Sequence, residues 1–216
     1  MLRSPIVGLF ILLFLILTSP VLLFFKLTNK KHLDRNRKIA AKYVRFVFKG
    51  IIFLSGIKVT VTGMENIPED EAVLFIANHR SYFDIVTAYP YFNREIGYIA
   101  KIELRKIPLF YYWMEMVCCL FLDRDDVRQG LQTILAGADM IKDGKNMWIF
   151  PEGTRGQGDE MLEFKEGSLK IAEKADCAIV PVAIKHTDDI FEKHFPWIKA
   201  QHVTIQVGSP VYPKRI

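Results

Sequence analysis

The chain has 216 residues, half of them apolar and a quarter charged, with 29 Lys and Arg against 24 Asp and Glu for a net +5. That length suits one compact domain with an appendage, and the composition excludes a disordered or low-complexity polypeptide. The cysteines Cys118, Cys119 and Cys177 are too few for a disulfide framework and suit a reducing compartment.

A basic chain has three classes of partner open to it: nucleic acid, an anionic membrane surface, or a phosphorylated substrate. The distribution of the charge separates them. Residues 1–49 hold ten Lys or Arg and the single acid Asp34, a net +9, whereas the remaining 167 residues hold 19 basic and 23 acidic side chains, a net −4. The positive charge therefore belongs to an N-terminal segment, which argues against nucleic acid as a partner.

That segment opens with twenty-two uncharged residues between Arg3 and Lys26. As one helix they would reach roughly 33 Å, against a bilayer core of roughly 30 Å. A cleaved signal peptide shares the basic start. This run, however, is long and leads into a basic block rather than a small-residue cleavage site, so an uncleaved anchor is expected. Pro20 is expected to kink or end the helix, which leaves a re-entrant course open. The basic block (Lys26, Lys30, Lys31, Arg35, Arg37, Lys38, Lys42, Arg45, Lys49) predicts a cytoplasmic face and anionic headgroups nearby. From Leu33 to Ser55, Ile39, Tyr43, Phe46, Val47, Ile51 and Leu54 recur at helical spacing, predicting a second helix. Its apolar face could lie in the membrane interface or on the domain's own core. Residues 1–56 are thus read as two membrane-anchoring helices and 57–216 as the globular domain.

Strands are predicted at Lys58–Thr62, Ala72–Ala77, Ile96–Ala100, Cys118–Leu122, Asn146–Phe150, Ala178–Ile184 and Val203–Val207. A helix is predicted over Asp125–Lys142, with Val127, Leu131, Ile134, Leu135, Ala138 and Ile141 as its apolar stripe. The alternation predicts an α/β fold with a mixed, largely parallel sheet flanked by helices. Functional residues in such sheets gather at the carboxyl ends of strands. Three predicted strands run into polar segments there: Asn78-His79-Arg80-Ser81-Tyr82-Phe83-Asp84, Asp123-Arg124-Asp125-Asp126, and Pro151-Glu152-Gly153-Thr154-Arg155-Gly156.

Ser81 and Asp84 have the spacing of a capping box, which places Asp84 in the first turn of a helix and His79 in the loop before it. Asp84 can cap that helix and also hold the His79 imidazole in one tautomer, freeing the other nitrogen to take a proton from a substrate hydroxyl. No nucleophile elbow accompanies the pair, and Cys118 and Cys119 fall in an apolar run that suits buried thiols. His186, His194 and His202 are spaced by eights with no bracketing acid, so no metal site is expected. In the third segment Gly153 permits a sharp turn, and Arg155 on it suits a bidentate grip on phosphate. Glu152 is expected to form a salt bridge that either aims Arg155 or simply holds the turn.

Asn78-His79-x-Ser81-x-x-Asp84, followed about seventy residues later by Phe150-Pro151-Glu152-Gly153-Thr154-Arg155, resembles the glycerolipid acyltransferase family, nearest to its bacterial 1-acylglycerol-3-phosphate acyltransferases. Leu120-Phe121-Leu122-Asp123-Arg124 resembles the family's second block and Val180-Pro181-Val182-Ala183-Ile184 its fourth; Ala100-Lys101-x-Glu103-Leu104 and Phe164-Lys165-x-Gly167-Ser168 also fit. The resemblance implies transfer of an acyl chain from acyl-CoA or acyl-carrier protein to the sn-2 hydroxyl of lysophosphatidic acid, without a cofactor. It implies His79 as general base and Asp84 as its orienting partner. Arg124 and Arg155 would bind the acceptor's phosphate with Lys101 as a third cation. Glu152, Gly153 and Thr154 would shape the acceptor pocket, and Val180 and Pro181 would line the acyl side. A domain held at the cytoplasmic face of a bacterial inner or plasma membrane follows from the same likeness. Two departures stand out: Cys118-Cys119 where the family often has glycine, and Tyr111-Tyr112-Trp113 after Pro108 where small residues are frequent. Rival readings are an acyltransferase for another lysolipid and a non-catalytic lipid-binding module.

Overall fold

The computed structural model describes residues 2–213 apart from Gln157 and Asp159. Seven strands, β1 (Lys58–Thr62), β2 (Leu74–Ala77), β3 (Ile96–Lys101), β4 (Leu120–Leu122), β5 (Asn146–Ile149), β6 (Ile179–Lys185) and β7 (His202–Val207), form one sheet. Its order is β1-β7-β6-β2-β5-β3-β4, and every neighbouring pair is parallel except β6 with β7. The fold is thus the mixed, largely parallel α/β sheet expected. The central strands are buried on both faces, as parallel strands covered by helices must be.

Alternation along β2 assigns those faces. Phe75 and Ala77 join Trp148, Phe92 and Tyr98 in the larger core, which also takes in the N-terminal helices, α3 (Phe83–Ala88) and α4 (Pro108–Met116). Leu74 and Ile76 face the smaller core with Met147, Ile149, Ile141 and Ile171, under α5 (Val127–Lys142) and α6 (Lys170–Ala175). Helix α5 starts where expected, its first N–H groups capped by Asp126, whose Oδ1 accepts from Arg128 and Gln129 at 2.9 and 3.0 Å. Half of its expected stripe faces the core: Ile134, Ala138 and Ile141 pack there together with Thr133 and Gly137, while Val127, Leu131 and Leu135 are exposed. The fourth strand begins at Leu120 rather than Cys118. Helix α4 ends at Met116, and Cys118 takes the left-handed conformation (φ 63°), which no strand residue can adopt.

The uncharged run is bent near Pro20, as expected, rather than forming one straight helix. Helix α1 (Arg3–Leu17) breaks at Thr18, and α2 (Ser19–Ser55) continues at a 42° bend with Pro20 in its first turn. Within α2 the backbone leaves helical geometry at His32 (φ −138°, ψ 32°). There the chain doubles back: the buried Asn36 donates to Thr28 Oγ1 and Asn29 Oδ1 at 2.9 and 2.8 Å, Phe10 covers Gly50, and Arg3 lies against Gly56. The straight helix of roughly 33 Å drawn from the uncharged run is therefore not formed. Among the described residues no single helix is long and apolar enough to cross a membrane, and only the bent pair together meets that requirement by length and composition.

The returning half of α2 packs its apolar face on the domain's own core, one of the two seats left open for it, and leaves a second row exposed. Ala40, Ala41, Val44, Val47, Ile51 and Ile52 are buried in the domain, while Lys42, Phe46, Lys49 and Phe53 form an exposed row at helical spacing. Trp113 of α4, only 3 % exposed, seats both passes through Phe14, Phe25 and Tyr43, with ring centroids at 5.4, 6.2 and 5.5 Å. The bulky Tyr111-Tyr112-Trp113 run is thereby accounted for at Trp113, which packs helices together.

Candidate active site

Where β2 ends, Asn78 continues the sheet with its side chain. Asn78 Nδ2 donates to the Ile184 carbonyl at 2.9 Å, and the Ile184 N–H donates back to Oδ1 at 2.8 Å. This side-chain bracket places His79 on the carboxyl edge, at the level of the end of β6.

His79 Nδ1 lies 2.8 Å from Asp84 Oδ2. A carboxylate partner requires the proton on Nδ1, so the lone pair is on Nε2, which has no hydrogen-bond partner among the described residues. The ring lies flat on Phe150, with centroids 4.0 Å apart and planes 17° apart, and its side chain is 19 % exposed. Asp84 is wholly buried. Its Oδ2 also accepts from the N–H groups of Arg80 and Ser81 at 2.7 and 2.9 Å, and its Oδ1 accepts from Thr187 Oγ1 at 2.5 Å. Both roles expected of Asp84, cap and partner, are thus met by one carboxylate. Ser81 completes the first turn by accepting the Phe83 N–H at 2.9 Å.

The turn after β5 is tied to the same histidine through backbone. Glu152, 2 % exposed, accepts the His79 N–H on Oε1 at 2.7 Å and the Leu162 N–H on Oε2 at 2.9 Å. The Gly156 N–H donates to the His79 carbonyl at 2.9 Å. Gly153 sits at φ 72°, the left-handed conformation that a side chain disfavours, and its N–H closes the turn on the Phe150 carbonyl at 3.0 Å. Glu152 therefore does not aim Arg155. Arg155 Nη1 instead donates to Glu192 Oε1 at 3.2 Å and Nη2 to the Tyr82 hydroxyl at 3.1 Å, with the guanidinium 3.7 Å from the Tyr82 ring centroid. The arginine and the dyad are brought together through the Ser81–Tyr82 peptide.

The other expected residues lie further off. Thr154 is exposed on the turn. Lys101 ends β3 and pairs with Glu103 Oε1 at 2.5 Å. Arg124 is exposed just past β4, three strands from β2, or roughly 14 Å at ordinary strand spacing. All share the carboxyl edge, but among the described residues no ion pair or hydrogen bond joins Lys101 or Arg124 to Arg155. Val180, the second residue of β6, is wholly buried beside Phe75, and Pro181 is the exposed residue after it, opposite Ile76. The structure gives Val180 a packing role with no surface for a chain to line. The cysteines are buried, and burial pushes the thiols up, Cys119 to about 12 and Cys177 to about 11. Such thiols are poor nucleophiles at neutral pH. Among the described residues no three His, Cys, Asp or Glu converge as a metal would need.

Sequence reasoning missed Thr187 and Glu192, both on the connection between β6 and β7. Neither belongs to a spaced pattern; the one usable signal is that polar residues directly follow β6, a neighbour of β2.

The fold and this edge define an α/β enzyme with a histidine–aspartate pair open to solvent beside a fixed arginine. The chain belongs to the Acyltransferase family, whose profile matches residues 58–185. It is 31 % identical to the 1-acyl-sn-glycerol-3-phosphate acyltransferase of Borreliella burgdorferi over 76 % of this chain and 66 % of that one. It is 33 % identical to a probable enzyme of the same name from Mycoplasma pneumoniae, over 80 % and 69 % of the two chains. Against the Saccharomyces cerevisiae enzyme of that name the identity is 29 %, over 86 % and 60 %. The chain thus spans about two thirds of the length of these relatives. The crystal structure of the 1-acyl-sn-glycerophosphate (LPA) acyltransferase PlsC from Thermotoga maritima is similar throughout: TM-score 0.83, 26 % identity, 100 % of this chain and 87 % of that one.

Proposed function

We propose that the protein transfers an acyl chain from an acyl thioester, acyl-CoA or acyl-carrier protein, to the sn-2 hydroxyl of 1-acyl-sn-glycerol 3-phosphate, yielding phosphatidic acid. The observation that carries this reading is His79, held by Asp84 at 2.8 Å with Nε2 unpartnered among the described residues, in the same clasp of loops as Arg155. The names of the relatives support the acceptor and the reaction.

Nε2 takes the hydroxyl proton as the acceptor oxygen bonds to the thioester carbonyl. The tetrahedral intermediate then collapses with cleavage of the C–S bond, and the imidazolium returns the proton to the departing thiolate. Base catalysis of this kind contributes typically 10² to 10⁴-fold. Asp84 keeps the ring oriented and offsets the charge of the imidazolium. Arg155 positions the acceptor by its phosphate, so that the hydroxyl meets the base rather than water. Lys101 and Arg124 stand further along the edge, where they suit the approach of an anionic acceptor or donor. The acyl thioester is a substrate, and no cofactor enters the reaction.

The substrates are amphiphiles, and the N-terminal helices suit a membrane seat. Ile6, Leu9, Leu13 and Ile16 form an exposed apolar row on α1, and the Lys42-Phe46-Lys49-Phe53 row of α2 alternates charge with aromatic rings. This is the composition of a surface that lies among anionic headgroups.

Release of free thiol from acyl-CoA and from acyl-carrier protein, measured with lysophosphatidic acid and with lysolipids bearing larger headgroups, tests the reading. His79→Ala is expected to lower kcat by at least about 10²-fold while the protein folds and binds vesicles as before. Near wild-type turnover by that variant would sink the mechanism. Preference for a headgroup-bearing lysolipid over the phosphomonoester would replace the acceptor.

A further inference from the structure

Glu192 lies in a single turn between β6 and β7, beyond residue 185, where the family match ends. Three donors converge on its carboxylate, whose side chain is 22 % exposed. Oε2 accepts the Ser81 hydroxyl at 2.6 Å, and Oε1 accepts the Tyr82 N–H at 2.9 Å and Arg155 Nη1 at 3.2 Å. Ser81 and Tyr82 belong to the loop that joins His79 to Asp84. The carboxylate is therefore fixed at two points by the dyad's own loop before it meets the arginine.

On the other side the Tyr82 ring and hydroxyl hold the guanidinium plane and Nη2. Among the described residues two of the five N–H donors of Arg155 are engaged in this way, which leaves the others for a ligand. An isolated surface ion pair contributes little to stability and fixes little. Here the acid has a set position relative to the base, and the arginine takes its position from the acid. A flexible, half-exposed arginine would otherwise lose rotamer freedom on gripping a phosphate, and prior immobilisation removes that cost from binding.

We propose that Glu192 is a positioning residue for the acceptor: it holds Arg155 at the distance from His79 that a phosphomonoester acceptor requires for its hydroxyl to reach Nε2. This rests on the acceptor assigned under Proposed function. It makes the connection after β6, and not Glu152, the element that aims the phosphate grip.

A double-mutant cycle on the full chain tests it, using lysophosphatidic acid and acyl-CoA. Glu192→Ala is expected to raise the KM for lysophosphatidic acid about tenfold, with kcat and the acyl-CoA KM within about threefold of wild type. In an Arg155→Ala background the same change is expected to do almost nothing further, because the residue it positions is gone. Glu192→Gln, which keeps one acceptor for Tyr82 and Arg155, should recover part of the affinity, and it serves as the test variant if the alanine variant does not fold. An unchanged acceptor KM, or equal losses with and without Arg155, would reduce Glu192 to a clasp between loops. A lowered KM would show that the carboxylate competes with phosphate, and would overturn the proposal as surely. A wild-type protein that acylates no lysophosphatidic acid overturns the function and this inference together, a result distinct from either variant outcome.

Discussion

Asp84 shows how much one buried side chain can organise. Four donors reach its two oxygens: the His79 ring, two backbone N–H groups and the Thr187 hydroxyl. The hydroxyl is the one donor that lies far away in sequence, and it sets the rotation of the carboxylate. A buried hydrogen bond to a charged group contributes about 1.5–3 kcal/mol. Thr187→Val keeps the shape and removes the donor, and is expected to lower kcat about tenfold with little change in acceptor KM, since Arg155, the proposed phosphate grip, is untouched. Thr187→Ser should stay near wild type. Steady-state kinetics on the three proteins decide it, and a valine variant that differs only in KM would place Thr187 with the acceptor instead of the dyad. The dyad was legible at this scale because its members are five residues apart on one loop. Thr187 and Glu192 were not, because what makes them partners is the adjacency of β6 to β2, which no spacing records.

At the scale of elements, the junction of α4 and β4 is where local geometry departed from the pattern. Met116-Val117-Cys118-Cys119-Leu120 reads as a continuous apolar run, yet the chain reverses there with Cys118 at φ 63° and its N–H on the Glu115 carbonyl at 3.0 Å. A non-glycine residue in that region costs about 1–2 kcal/mol. Cys118, one of the two cysteines at the departure noted from the resemblance, thus carries a side chain in a backbone conformation that favours glycine. Directly beside it, a Cβ on Gly97 would stand 2.1 Å from the Cys118 carbonyl oxygen, so Gly97 must remain glycine for the strand to pass. Cys118→Gly is expected to match or exceed the wild type in denaturant unfolding, the relief of strain offsetting the loss of a small buried side chain. Cys118→Val, β-branched at positive φ, should lose about 2 kcal/mol or more. A valine variant as stable as wild type would show that the turn is not the constraint.

Across the whole molecule, charge and hydrophobicity are partitioned. The basic segment and these exposed apolar rows fall on α1 and α2, while the mildly acidic domain sets Arg155 at the carboxyl edge beside the dyad. Replacing Lys42 and Lys49 by Glu reverses the row on α2 at two exposed positions without touching its buried face. With about 1 kcal/mol for each basic residue near an anionic surface, the double variant should bind phosphatidylglycerol vesicles at least about tenfold more weakly. Binding to neutral vesicles, and turnover in detergent, should stay the same. Co-sedimentation at low and raised salt measures it; equal loss on neutral lipid would assign these lysines to folding.

The sequence by itself determined the alternation of strands and helices, the histidine–aspartate pair, the arginine turn and the greasy, basic start. Each is written in residues close together in the chain, where period and spacing carry the physics. Tertiary structure alone decided which face of α5 is buried, that the chain turns back at His32, and that the arginine answers to Glu192 rather than Glu152. Those outcomes depend on which strands lie side by side, because a carboxylate or a hydroxyl acts over about 3 Å and finds its partner through the order of the sheet.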